Sequence, residues 1–186
     1  MKFKSIEKIH SGKFITRYDI HYETESGKAI TYEMISREPD VQSIEEMRSH
    51  RTNAVVLVMH DESKEHILLC KEFRMAVGEQ VVNFPAGLID EGETVEQAAA
   101  RELWEETGLT LLRIDETWKE SYSAIGFANE LNVVVVGVAG GEIRPSDSER
   151  EEIDAAWYSK EEVRQLLATE RFAARTQAYC ILWSRN

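Results

Sequence analysis

Residues 87–109 read GLIDEGETVEQAAARELWEETGL, and this stretch decides how the chain folds. Thr94 is a favoured N-cap residue, and Gln97 three positions later completes a T-x-x-Q capping box. The residues that follow are good helix formers without proline or glycine, and Gly108 stands where a helix commonly ends. The pattern predicts a helix of about four turns over residues 95–107.

Three glutamates of this predicted helix share one face. Glu102, Glu105 and Glu106 stand at positions i, i+3 and i+4. Arg101 lies four residues before Glu105, so these two side chains can pair. Like charges this close repel unless a cation neutralises them, and hard oxygen ligands suit Mg²⁺ or Mn²⁺ better than zinc. Acids at this spacing usually form a solvated helix face, but the preceding loop, residues 86–93, has two glycines and can return a backbone carbonyl to them.

The order of fixed residues in this stretch carries a family resemblance. Gly87 is followed by five residues and Glu93, and seven further residues lead to RELWEETGL, which begins at Arg101. This arrangement resembles, without a gap, the signature of the Nudix hydrolases. The resemblance implies an α/β fold, an α/β/α sandwich with a mixed sheet over residues 51–186. It also implies an enzyme that uses divalent metal to cut a diphosphate linked to another group.

The resemblance narrows to the ADP-ribose pyrophosphatase branch. NFPAGLID at residues 83–90 is similar to the segment that precedes the signature there, and the branch has an N-terminal dimerising sheet comparable to residues 1–50. GFANE at residues 126–130 resembles its PGxxxE loop. The likeness implies hydrolysis of ADP-ribose or another ADP-sugar to a nucleoside monophosphate and a sugar phosphate. Ile125 stands where the branch usually has proline, which leaves GDP-mannose and other nucleoside diphosphate sugars open as alternatives.

The resemblance also assigns metal ligands and the residues that brace them. The implied ligands are three helix glutamates, one backbone carbonyl and one acid from a later loop: Glu102, Glu105, Glu106, Ala86 and Glu151. Glu105 is a candidate catalytic residue as well. Arg101 and Glu93 match a pair that braces the loop against the helix and fixes the carboxylates. Mg²⁺ is the implied cofactor, and Mn²⁺ is the alternative.

The general base is predicted from the acidic loop at residues 146–152. Glu149 best matches the base, and Glu151 and Glu152 compete for that assignment. An exposed charged turn is the alternative interpretation of this loop.

The predicted substrate-binding residues are Arg74, Gly87 and Phe127. Arg74 can contact phosphate or ribose, because arginine binds phosphate bidentately, or it can be a surface strand residue. Aromatic residues near the N-terminus could stack on a base, although core packing is the alternative for each: Phe14, Tyr18 and Tyr22.

Composition bounds the function classes. The 186 residues carry a net charge of -12, which argues against nonspecific binding to nucleic acid or anionic membrane. The same charge would repel an anionic diphosphate, so metal must offset it locally. The two cysteines sit in apolar runs, where core positions are expected, and form no metal motif. The sequence starts without an apolar leader, and a cytoplasmic protein is expected.

The remaining periodicity predicts a mixed set of elements around the central helix. Residues 13–23 and 29–36 read as an N-terminal hairpin, and residues 37–51 as a polar connector with one helical turn. Further strands are predicted at residues 54–59, 66–73, 80–84, 111–121, 131–138 and 153–158. Two further helices are predicted at residues 159–168 and 171–183. A small antiparallel β subdomain at residues 1–50 has too little apolar surface to stand alone, so we expect a homodimer through it.

Two other classes of function remain as alternatives. A non-catalytic nucleotide-sensing Nudix module would be expected to have lost signature glutamates, and this sequence keeps all of them. A purely structural interaction protein would show no metal-dependent stabilisation by a ligand.

Overall fold

The computed structural model describes residues 1–48, 51–146 and 152–185. The chain divides into two compact units, one of Met1–Asn53 with Glu120–Asn132 and the other of Ala54–Lys119 with Val133–Asn186. Within the described ranges, every helix is too short or too polar to span a bilayer.

The first unit is built on an antiparallel sheet of three strands. Its elements are β1 (Lys2–Ser11), β2 (Thr16–Glu23), β3 (Ala29–Ser36) and the short helix α1 (Ile44–Arg48), with the strands in the order β1-β2-β3. Tyr18, Ile20 and Met34 pack with Val41 in its core. The Tyr18 hydroxyl donates to the Glu38 carbonyl at 2.9 Å and accepts from the Val41 amide at 3.1 Å. Tyr18 is therefore a core residue that ties the connector to the sheet, and the hypothesis that it stacks on a base is wrong.

The second unit is built on a mixed sheet. Its strands are β4 (Ala54–His60), β5 (His66–Arg74), β6 (Glu79–Asn83), β7 (Ala86–Leu88), β8 (Thr110–Thr117), β10 (Leu131–Gly140, from Val133 onward) and β11 (Ile153–Ser159). The first unit contains β9 (Ser121–Tyr122), which pairs with Leu131 and Asn132 at the start of β10. The strands lie in the order β11-β5-β4-β10-β8, with β6 beside β5 and β7 beside β4.

Helices cover both faces of this sheet. They are α2 (Val95–Thr107), α3 (Lys160–Thr169) and α4 (Ala174–Trp183). Val55 and Leu57 of β4 pack in a core with buried residues of α2. Their neighbours Val56 and Val58 point the other way, as alternation along a strand requires, and pack in a core with residues of α3 and α4. The expected α/β/α sandwich is confirmed.

The ends of α2 form as their sequence predicts. The Thr94 hydroxyl accepts from the Gln97 amide at 3.2 Å, and the Gln97 side chain accepts from the Thr94 amide at 2.9 Å. Gly108 ends the helix with φ 72°, in the left-handed region that costs glycine little. A cap of this kind contributes about 1 kcal/mol to stability. The same capping box, formed by Ser159 and Glu162, starts α3.

The structure differs from the predicted elements at several places, and the short strands β7 and β9 were not predicted. The N-terminal hairpin gains a third strand, β1, whose register shifts between Phe3 and Ser5 and between Lys8 and His10. These bulges break the alternation that reveals a strand in a sequence. The strand predicted over residues 111–121 ends at Thr117, and the last helix begins three residues later than predicted, at Ala174.

Candidate active site

The glutamates that share one face of α2 lie at different depths. Glu106 is 6% exposed, whereas the Glu105 side chain is 56% exposed. The Glu106 carboxylate accepts a hydrogen bond from the Ala86 amide at 3.1 Å. This contact joins the last turn of the helix to β7, the strand that starts the signature loop.

The backbone of β7 also lies against Glu102. A Cβ placed on Gly87 would lie 1.9 to 2.2 Å from the carboxyl atoms of Glu102, so a larger residue cannot occupy this position without moving that side chain. Ala86, Gly87, Glu102 and Glu106 therefore surround one small region of the second unit. The predicted residues that the structure brings together there, with their bracing groups, are Ala86, Gly87, Glu93, Arg101, Glu102, Glu105 and Glu106.

Arg101 holds this group in place. Its guanidinium donates to both carboxylate oxygens of Glu93, at 2.9 and 2.8 Å, and to the Leu88 carbonyl at 2.8 Å. Its other edge donates to Glu102 at 2.8 Å and to Glu105 at 3.1 Å. The Glu93 carboxylate above all raises the pKa of Arg101, and Arg101 lowers the pKa of Glu93. The arginine thus links the loop, the helix and two of the acids.

This arrangement fits a divalent cation. Within the described residues, no three acidic, histidine or cysteine side chains are grouped closely enough to hold a metal ion by themselves. Mg²⁺ is usually held by one or two carboxylates and completes its coordination with water and substrate phosphate oxygens. Glu102 and Glu106 beside a backbone without a Cβ supply oxygen donors of this kind.

The other predicted site residues belong to other elements or lie outside the described residues. Arg74 ends β5 and pairs with the buried Glu72. Phe127 belongs to the first unit. Glu149 and Glu151 lie outside the described residues, and the carbonyl of Glu152 accepts from the Phe73 amide at 3.1 Å.

The first unit contains an aromatic cavity of about 260 Å³. It is lined by residues of β2, β3, α1, β9 and the segment after β9, including Tyr22, Tyr32, Met34, Tyr122, Phe127 and Asn129. Phe127 is a predicted substrate-binding residue, and Tyr22 was considered for stacking on a base with core packing as the alternative. Tyr32 and Tyr122 were not singled out from the sequence. Ile20 and Tyr32 are cross-strand neighbours, so the sequence could have placed them on one face. The contribution of residues 122–129 carries no such local signal.

Comparison with known proteins agrees with the signature. A family model described as the NUDIX domain matches residues 50–179. The chain is 34% identical over 125 residues to the ADP-ribose pyrophosphatase of Bacillus subtilis (strain 168), covering 67% of this chain and 59% of that protein. It is 32% identical over 104 residues to the ADP-sugar pyrophosphatase of Mus musculus, covering 56% and 46%.

A solved structure described as an ADP compounds hydrolase shares the fold. The two structures superpose with a TM-score of 0.75 and are 22% identical in sequence. The match covers 100% of this chain and 93% of the other. The chain spans about half to three fifths of the length of the curated relatives it matches.

Proposed function

The chain belongs to the Nudix family, and from that premise we propose that it hydrolyses the diphosphate bond of a nucleoside diphosphate derivative. ADP-ribose or another ADP-sugar is the preferred substrate in this proposal, because two relatives are named ADP-ribose pyrophosphatase and ADP-sugar pyrophosphatase. The observation that carries the proposal is the approach of the Gly87 backbone to Glu102 beside the buried Glu106.

Members of the family generally need a divalent cation. We propose that this cation is Mg²⁺ and that Mn²⁺ can replace it. Glu102, Glu106 and the Ala86 carbonyl would hold it, with Glu105 and Glu151 as further ligands. When bound, the cation supplies positive charge that polarises the diphosphate and acidifies water. Arg101 is fixed by its hydrogen bonds to Glu93 and in turn donates to Glu102 and Glu105, which orients these two carboxylates.

The chemical step follows from the remaining assignments. Glu149 takes a proton from a water molecule as that water attacks one phosphorus in line with the bridging oxygen. A new bond forms between phosphorus and the water oxygen, and the bond to the bridging oxygen breaks. The products are two phosphate monoesters, which for ADP-ribose are AMP and ribose 5-phosphate. Arg74 contacts a phosphate or ribose of the substrate. The Gly87 backbone, whose missing side chain leaves room for the Glu102 carboxylate, lies beside the diphosphate in this proposal.

The first unit supports two further parts of the proposal. Its aromatic cavity, which includes Phe127, is suited to a planar base. Residues 1–50 are assigned to a subdomain that forms a homodimer, and residues 51–186 to the catalytic domain. GDP-mannose remains the second substrate, because Ile125 stands beside this cavity in place of the expected proline.

A panel of substrates tests the activity. ADP-ribose, other ADP-sugars and GDP-mannose are incubated with the protein in Mg²⁺ and in EDTA, and release of phosphate monoesters is measured. We expect turnover of at least one compound in Mg²⁺ and none in EDTA. Turnover that EDTA leaves unchanged would overturn the metal mechanism, and no turnover of any compound would favour the nucleotide-sensing alternative.

A further inference from the structure

One buried hydroxyl on α4 holds the segment that leads into the signature loop. Thr176 is fully buried, and its hydroxyl donates to Asn83 Oδ1 at 2.9 Å. The Thr176 hydroxyl oxygen also accepts a hydrogen bond from the Phe84 amide at 3.3 Å. Asn83 is only 8% exposed, so each of these polar groups depends on the others for its hydrogen bonds.

Neighbouring contacts hold the same segment from the same side. The Val82 amide donates to the Arg171 carbonyl at 2.8 Å, and the Ala173 amide donates to the Val82 carbonyl at 3.0 Å. The Phe84 ring packs edge-on against Tyr179 at 5.5 Å. The backbone at residues 82–84 is therefore fixed by residues at and just before α4.

The next residues are held by the sheet and by α2. The Pro85 carbonyl accepts from the Leu57 amide at 2.8 Å, and the Ala86 amide donates to Glu106 at 3.1 Å. Proline fixes its own φ angle, so the step from Phe84 to Ala86 has little freedom. A shift at Phe84 would therefore reach Ala86 and the Glu106 carboxylate.

We propose that Thr176 is a positioning residue for the cation site, which acts by fixing the Asn83–Phe84 backbone and through it Ala86 and Glu106. This inference rests on the proposed function, because it takes Glu106 and the Ala86 carbonyl as ligands. Removing the hydroxyl deprives the buried Phe84 amide and Asn83 oxygen of their shared partner, and the segment must move to satisfy them. Groups that orient metal ligands in this way typically contribute about 10- to 100-fold to metal affinity.

The test measures Mn²⁺ binding to the full chain by electron paramagnetic resonance, without substrate. Thr176→Val keeps the shape and removes the hydroxyl, whereas Thr176→Ser keeps the hydroxyl. We expect about 10-fold weaker Mn²⁺ binding in Thr176→Val and near wild-type binding in Thr176→Ser. The Mg²⁺ concentration for half-maximal rate should rise in parallel.

Val163→Ala is the matched control, because Val163 of α3 is fully buried in the same core and makes no part of this hydrogen-bonded group. It loosens packing and should leave Mn²⁺ affinity unchanged. Equal weakening in Val163→Ala and Thr176→Val would overturn the positioning role. Asn83→Leu removes the partner of the hydroxyl and serves if Thr176→Val does not fold. Wild-type affinity in whichever of these two variants folds would also overturn the role.

Glu106→Gln separates this inference from the function on which it rests. Loss of Mn²⁺ binding in Glu106→Gln together with wild-type binding in Thr176→Val refutes the positioning role alone. Wild-type binding in Glu106→Gln refutes the cation site itself, and the inference falls with it.

Discussion

Gly87→Ala isolates the close approach of the β7 backbone to α2. The added Cβ would lie 1.9 Å from the Glu102 carboxyl carbon and 2.0 and 2.2 Å from its oxygens, whereas ordinary contact begins at 3.4 Å. The Glu102 carboxylate must retreat by about 1.5 Å, and a displacement of about 1 Å in an active site can cost about 10²-fold in rate. We therefore expect kcat for ADP-ribose in Mg²⁺ to fall by about 10²-fold, or about 2.7 kcal/mol.

The fold should tolerate this change. Gly87 is not among the glycines with positive φ, so alanine can adopt its backbone conformation. The clash falls on the end of a flexible side chain, which can rotate away. Thermal unfolding followed by circular dichroism should show a midpoint close to that of the wild type.

A double-mutant cycle identifies the route of the effect. If Gly87→Ala acts by displacing Glu102, its effect on kcat should largely disappear in a Glu102→Gln background, because both changes damage the same ligand. Full additivity in the cycle, or a wild-type kcat in Gly87→Ala, would refute the reasoning.

Three further predictions concern the base, a half-buried histidine and the oligomer. Glu149→Gln should lower kcat by about 10²-fold and spare Mn²⁺ affinity; if Glu152→Gln does so instead, the base is Glu152. Burial lowers the pKa of His60 from its ordinary 6.5, so the unfolded chain binds this proton more readily. The stability that depends on neutral His60 is complete above pH 6.5 and is lost as pH falls through the lower pKa of the folded state. As pH is lowered, the melting temperature should therefore drop less steeply in His60→Gln than in the wild type. Equal dependence of the melting temperature on pH in the two proteins would contradict this. Static light scattering should give about twice the 21.3 kDa chain mass, and a mass that stays monomeric at high concentration would contradict the dimer.

The sequence predicted α2 to the residue because its signals are local. Thr94, Gln97 and Gly108 act within one turn of the helix they delimit. The pairing of Arg101 with Glu105 follows from helix periodicity alone and is confirmed at 3.1 Å. Both cysteines were expected in the core, and both are buried.

Contacts between distant parts of the chain could not be predicted in this way. The approach of Gly87 to Glu102 depends on how β7 packs against α2, and the motif alone gives no distance. Asn83 and Thr176 are 93 residues apart, and although Asn83 begins the NFPAGLID stretch, nothing in the sequence pairs it with Thr176. β1 was missed because its bulges interrupt the alternation of apolar and polar residues.

In the proposed function, the α2 carboxylates and the β7 backbone would hold a divalent cation while water cleaves a diphosphate. The most direct test is ³¹P nuclear magnetic resonance of ADP-ribose with the wild type in Mg²⁺, the wild type in EDTA, and Glu106→Gln in Mg²⁺. With the wild type in Mg²⁺, we expect the diphosphate signals to be replaced by two phosphate monoester signals. The rate should be at least about 10²-fold higher than with Glu106→Gln in Mg²⁺. With the wild type in EDTA, the diphosphate signals should persist. Conversion at equal rates in all three samples would contradict the proposed function.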